Sequence, residues 1–100
     1  MSAKAVELHP EAAEEAQAAM EWYRARSLRA AEAFFRELER AVGVVSEAPN
    51  RWPKFMQGTR RYPLRRFPYW LIYRVKHDSV QIVAVAHARR KPGYWRSRTR

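Results

Sequence analysis

Apolar positions along this chain change period twice, and each change marks a different kind of element. Val6 and Leu8 alternate with Glu7, which predicts a short first strand at Lys4–Leu8. From Pro10 onward the period lengthens. Ala12, Ala16, Ala19, Met20 and Tyr23 recur at steps of three and four, the spacing of one helix face. Pro10 suits a first helical turn, where its missing N–H costs nothing. Glu11, Glu14 and Glu15 complement the positive end of the helix dipole, and Arg24 and Arg26 its negative end, so the helix is expected to run to Arg26. Ser27 is a suitable N-cap for a second helix. Ala31, Phe34, Phe35, Leu38, Val42 and Val45 form its stripe as far as Glu47, and Pro49 stops it. The short connection makes the helices an antiparallel pair.

Residues 49–58 carry Pro49, Pro53 and Gly58 and read as a loop. After it the period falls to two. A short strand is expected over Thr59–Arg66, where Pro63 marks an edge or an irregularity. A stronger one pairs Tyr69, Leu71, Tyr73 and Val75 on one face with Trp70, Ile72, Arg74 and Lys76 on the other. His77-Asp78-Ser79 is a turn, and Val80–Ala88 is a second strong strand. Both carry apolar residues on both faces, the mark of central strands. Alternation puts His87 on the face of Gln81, Val83 and Val85. The order β–α–α–β–β–β predicts an α+β domain: an antiparallel sheet with a helical hairpin on one face and the first strand at or near an edge.

Composition narrows the class. One hundred residues make one domain, with no repeat or linker. The absence of cysteine excludes disulfides and thiolate metal sites. No apolar run is long enough to span a bilayer, and residues 1–15 lack the apolar stretch of a secretory signal, so a cytoplasmic protein without membrane contact is expected. His9, His77 and His87 are scattered, and three glycines cannot build a phosphate-cradling loop, so neither metal nor cofactor is expected.

Charge changes the picture most. Twenty Lys and Arg face ten Asp and Glu, a net charge of +10. The first fifty residues hold six cations and nine anions, the last fifty fourteen and one. The second half is therefore the electrostatic feature, and a polyanionic partner is expected for it. Sixteen of the cations are arginine, whose planar fork pairs phosphate and stacks on bases. Lys54, Arg60, Arg61, Arg66, Arg90, Lys91, Trp95 and Arg96 are the candidate nucleic-acid contacts. Each adjacent pair, Arg60-Arg61 and Arg65-Arg66, puts one arginine on each sheet face. Among the aromatics, Tyr69 and Tyr73 fit the core, while Trp52, Tyr94 and Trp95 are expected to be exposed for stacking. Where the last strand runs out, His87 or Tyr94 could move protons and Arg65, Arg89 and Arg90 could hold charge, as cleavage of a phosphate ester requires.

The run Arg65-Arg66-Phe67-Pro68-Tyr69-Trp70-Leu71-Ile72-Tyr73-Arg74-Val75, then Val80–Ala88 and His87-Ala88-Arg89-Arg90-Lys91-Pro92-Gly93-Tyr94-Trp95, resembles the RelE/ParE superfamily of bacterial type II toxins. The resemblance implies a growth-inhibiting toxin of a toxin–antitoxin system, neutralised by a cognate antitoxin. RelE-like members cleave mRNA on the ribosome, and ParE-like members poison DNA gyrase. The nuclease branch would carry Arg65, Arg89 and Tyr94 as catalytic residues, with His87 as a base. A non-catalytic basic domain that binds RNA or DNA is the alternative from a different class.

Overall fold

The computed structural model describes residues 3–100. Strand β1 (Ala5–Leu8) leads into helices α1 (Pro10–Arg24) and α2 (Leu28–Glu47), followed by strands β2 (Arg60–Pro63), β3 (Tyr69–Val75) and β4 (Ser79–His87). Short 3₁₀ turns lie at Met56–Gly58 and Arg96–Thr99. Pro10 opens α1, and the preceding His9 caps it by accepting from the Glu11 N–H at 3.1 Å. The helix ends two residues before the expected Arg26. There the Arg26 guanidinium turns back to donate to the Trp22 carbonyl at 2.9 Å and stacks over the Trp22 ring. Ser27 caps α2 by accepting from the Ala30 N–H.

The sheet order is β1-β4-β3-β2. The last three strands form the expected antiparallel meander. β1 occupies the edge and pairs with β4 in parallel, so the sheet as a whole is mixed. A parallel neighbour needs a long crossover, which the helical hairpin provides at the outset.

One face of the sheet packs on the helices. Tyr62, Leu64, Leu71, Tyr73, Val80, Ile82 and Val85 bury against Ala12 and Ala19 of α1 and Phe34, Ala41 and Val45 of α2. The opposite face carries Ile72, Val83, Ala84 and Ala86, covered by Trp95 from the C-terminal tail, with Phe55, Trp70 and Tyr94 around it. The tail thus explains why both central strands are apolar on both faces. Trp95 is only 1% exposed, which corrects the expectation that it is free to stack on bases. It serves as the lid of the second core. Trp52 is half-buried, edge-on to Tyr62.

The register of β3 on β4 shifts between Ile72 and Tyr73, which pair with Ala84 and Ile82 and skip Val83. A bulge of this kind breaks the two-residue alternation. Val83 joins Ala84 and Ala86 on the tail-covered face, while Val85 returns to the helix-covered face of Val80 and Ile82. His87 follows Val85, so it lies on the helix side, its ring edge-on to Tyr69 at 5.0 Å. Strict alternation therefore misplaced Val83 relative to His87, because it cannot register an inserted residue.

Tyr73 ties the sheet to the end of α2. Its hydroxyl donates to the Pro49 carbonyl at 2.6 Å, and burial pushes the phenol up to about 12. A phenol raised in the folded state contributes stability that is complete below its unfolded value near 10 and lost as pH rises through about 12. Tyr73→Phe is expected to cost about 1 kcal/mol at neutral pH and to flatten the fall in stability above pH ~10. Urea unfolding followed across alkaline pH measures both.

Candidate functional site

The candidate residues gather where β4 ends. Ala88 stays pinned by its N–H to the Pro68 carbonyl at 2.7 Å, and the chain then turns, with the Arg90 N–H on the His87 carbonyl at 2.9 Å. In the same turn the Arg89 N–H donates to His87 Nδ1 at 3.0 Å. An Nδ1 that accepts leaves the proton of neutral imidazole on Nε2. Arg89, Arg90 and Lys91 follow as three consecutive exposed cations. His87 and Arg90 then border a groove of about 470 Å³ against α1, whose other walls include Trp22, Tyr23 and Tyr69. The other ring nitrogen of His87, Nε2, has no hydrogen-bond partner among the described residues.

Tyr94 is differently committed. Its hydroxyl donates to Glu15 Oε2 at 2.6 Å. The Arg98 guanidinium grips the same carboxylate with both forks, at 2.9 and 3.0 Å, and also donates to the Val83 carbonyl at 3.1 Å. The Val85 N–H adds a bond to Glu15 Oε1 at 3.0 Å. β1 stops opposite Ile82, so β4 loses its neighbour there, and the Glu15 and Arg98 side chains take up the ladder groups that β1 leaves free. Burial first, then the bond to Glu15 and its negative charge, hold the Tyr94 phenol far above its usual range, against the opposing pull of Arg98 and Arg90. Tyr94 is thus a fixed, protonated donor. The Arg90 guanidinium lies 3.7 Å above its ring.

Several other expected contacts serve the fold. Arg60 donates through Nη1 to the Asn50 and Trp52 carbonyls, at 3.2 and 2.7 Å, and closes the loop before β2. The Arg61 guanidinium lies over both Phe55 and Trp70, at 4.2 and 4.3 Å, beneath the tail. The two arginines do take opposite faces of the sheet, and both are at least partly spent. Lys54 is exposed, next to β2. Arg96 is exposed, with Nε on the Gly93 carbonyl at 3.4 Å. Gly93 has a φ of +85°, and a Cβ there would stand 3.0 Å from Met56 Cε, so glycine sets the bend that folds Trp95 under the sheet.

Arg65 and Arg66 stand apart from His87. Their backbone N–H groups both donate to Glu37 Oε2 of α2, and Arg66 Nε lies 3.6 Å from the other oxygen. The structure therefore brings together His87, Arg89, Arg90, Lys91 and Tyr94, and places Arg65 in a separate depression against α2.

Glu15 and Arg98 were not singled out as candidates from the chain. A signal existed for Glu15. It falls at helical spacing between Ala12 and Ala19, both buried, and an acid on a buried stripe needs a cation. Nothing local in the sequence marks Arg98 among its neighbouring arginines. Among the described residues no cluster of His, Asp and Glu could hold a metal ion, and no helix is long and apolar enough to cross a membrane.

Comparison with known proteins agrees with this architecture. The family model described as the ParE toxin of type II toxin-antitoxin system, parDE, matches residues 6–92. A solved chain titled "Chromosomal ParDE TA system from P. aeruginosa" superposes with a TM-score of 0.74 at 21% identity, over 84% of this chain and 95% of that one. No curated protein sequence matches.

The buried network sets unequal costs for its members. Glu15 and Arg98 side chains are 16% and 8% exposed. Glu15→Gln keeps the shape but leaves the buried Arg98 only the exposed Glu11 carboxylate, 3.6 Å from its Nε, as a counter-charge, and is expected to cost about 3 kcal/mol. Tyr94→Phe removes one of several bonds to Glu15 and is expected to cost about 1 kcal/mol. Urea denaturation of the two variants should rank them in that order.

Proposed function

The chain belongs to the ParE toxin family of type II toxin–antitoxin systems, and from that premise we propose that it arrests growth by poisoning DNA gyrase in the cytoplasm, while a cognate antitoxin holds it inactive. The observation that carries this reading over mRNA cleavage is the state of Tyr94. Hydrolysis of a phosphodiester through the 2′-hydroxyl needs one group to take a proton and another to give one. Tyr94 already donates its proton to Glu15, and His87 has only Nε2 unengaged. Arg65, the expected charge stabiliser, lies against α2 rather than beside them. What stays available is a row of cations, Arg89, Arg90, Lys91 and Arg96, that can bind an anionic surface without doing chemistry on it.

Poisoning of this kind is a binding effect. A protein that holds the broken-DNA form of an enzyme more tightly than the resealed form shifts the population toward breaks, by as much as its two affinities differ. The arginine row supplies charge-assisted hydrogen bonds for that differential contact.

The antitoxin reading rests on separate features. An apolar groove of about 420 Å³ lies between α2 and the β1–β4 edge, lined by Leu8, Phe35, Leu38, Val42 and Ile82. Leu8 and Phe35 are 52% and 44% exposed. An amphipathic, partly acidic segment that folds on binding would cover this groove with its apolar side and neutralise nearby arginines with the other.

Brief induction is expected to stop growth and leave stabilised gyrase–DNA breaks, with mRNA 5′ ends unchanged. Arg89→Ala combined with Arg90→Ala should raise the toxin concentration needed for breaks about tenfold or more, the scale of losing charged hydrogen bonds. His87→Ala should still poison. Codon-phased mRNA cuts that vanish in His87→Ala would overturn the reading. Phe35→Asp is expected to weaken antitoxin binding about tenfold or more, by placing a charge on an apolar contact, and to leave gyrase breaks intact. Titration calorimetry against the antitoxin reads the first effect.

A further inference from the structure

Two arginines of α2 join two arginines of the β2–β3 corner around one depression. Arg36 and Arg40 are one turn apart on α2 and share a face. Together with Arg65, Arg66, Glu37 and Tyr62 they line a depression of about 400 Å³. Ala33, one turn before Glu37 on α2, leaves its floor open, where a larger side chain would fill it. All four arginines are exposed.

The one carboxylate in this depression is already used. Glu37 accepts the backbone N–H groups of both Arg65 and Arg66, and its other oxygen faces Arg66 Nε at 3.6 Å. Those bonds fix the backbone of the corner from which the two arginines project. Arg36, Arg40 and Arg65 have no carboxylate partner among the described residues. Four like charges around one acid repel each other, and Arg36 and Arg40 repel directly at their i, i+4 spacing. A face kept only for solubility would scatter these charges or pair them with the acids that α2 carries elsewhere. A cluster of guanidinium groups, three of them without a carboxylate partner, instead suits the oxygens of phosphate.

We infer that this depression is a phosphate-binding site and that it takes the backbone of duplex DNA. The inference deepens the gyrase reading and rests on it for the identity of the polyanion. It recruits two residues from the acidic half of the chain to the working surface. It also gives Arg65 a role in binding phosphate at a place distinct from the His87 turn.

The test uses the purified full-length toxin and a fluorescein-labelled duplex DNA of about two helical turns, with affinity measured by anisotropy across a salt series. Each phosphate contact released should lower the slope of log affinity against log salt by about 0.9. Arg36→Gln/Arg40→Gln is expected to weaken binding about tenfold at low salt and to flatten the slope by about two contacts. Its melting midpoint should match or exceed wild type, since the repulsion is relieved, which separates lost contacts from lost fold. Arg24→Gln/Arg51→Gln removes the same charge outside the depression and should have a clearly smaller effect. An equal loss in that control would overturn the site, because binding would then follow net charge alone. Inorganic tripolyphosphate is the second probe. If it binds in an Arg36- and Arg40-dependent way while duplex DNA does not bind, the DNA assignment is overturned in favour of a free polyphosphate. Gyrase cleavage is measured on the same proteins. Arginine-dependent DNA binding without stabilised breaks would sink the gyrase reading and support the site. Stabilised breaks with DNA binding unchanged in the double variant would sink the site and leave the gyrase reading standing.

Discussion

Glu15 accepts hydrogen bonds from three groups that lie 70 to 83 residues further along the chain: the β4 backbone at Val85, the phenol of Tyr94 and the guanidinium of Arg98. Without it the tail would keep only the exposed Glu11 carboxylate, 3.6 Å from Arg98 Nε, as a charge-matched anchor on α1. Trp95 covers the second face only because the residues on either side of it, Tyr94 and Arg98, are drawn to this carboxylate. Both faces of the central strands can then be apolar in a chain of one hundred residues. A small domain leaves much of its surface wet, so burying a second face with its own tail is a substantial gain in core. The cost is a partly buried ion pair. It is offset because every oxygen of the carboxylate is satisfied, the condition under which such pairs are tolerated.

The bulge in β4 is the second constraint. It moves Val83 into the tail-covered core and turns Val85 and His87 toward α1. Had the strand kept the alternation of Val80 and Ile82, Ala84 and Ala86 would pack on the helices, and Val85 and His87 would face the tail and Trp95. Instead its imidazole borders the groove formed with Trp22 and Tyr23, and its Nδ1 caps the turn that presents Arg89 to Lys91. One inserted residue thus decides which surface the basic turn belongs to.

Arginine has three separate uses in this molecule. Arg60, Arg61, Arg74 and Arg98 are spent on carbonyls, aromatic rings, the Gln81 amide and the Glu15 carboxylate, where a planar fork on an apolar stem suits both packing and hydrogen bonding. Arg89, Arg90, Lys91 and Arg96 form an open row beyond β4. Arg36, Arg40, Arg65 and Arg66 surround Glu37. The surplus of the second half is therefore less available than its count suggests, and part of the available charge belongs to a helix of the acidic half.

Much of the architecture was legible along the chain. The switch from three-and-four spacing to alternation located both helices and the two strong strands. Ser27, Pro10 and Pro49 marked the helix boundaries, and the order of elements indicated an α+β domain of the toxin superfamily. These are local signals, carried by the periodicity of backbone geometry. The sequence also placed the basic turn after the last strand. Only the tertiary structure decided what each basic or aromatic residue is for. Trp95 and Tyr94 look like surface aromatics until the tail folds under the sheet, and Arg65 looks like a neighbour of His87 until Glu37 draws it to α2. Burial, hydrogen-bond partnership and convergence of charge depend on residues distant in sequence, and alternation cannot count through a bulge. That is why the elements could be read from the chain, whereas the site had to be read from the fold.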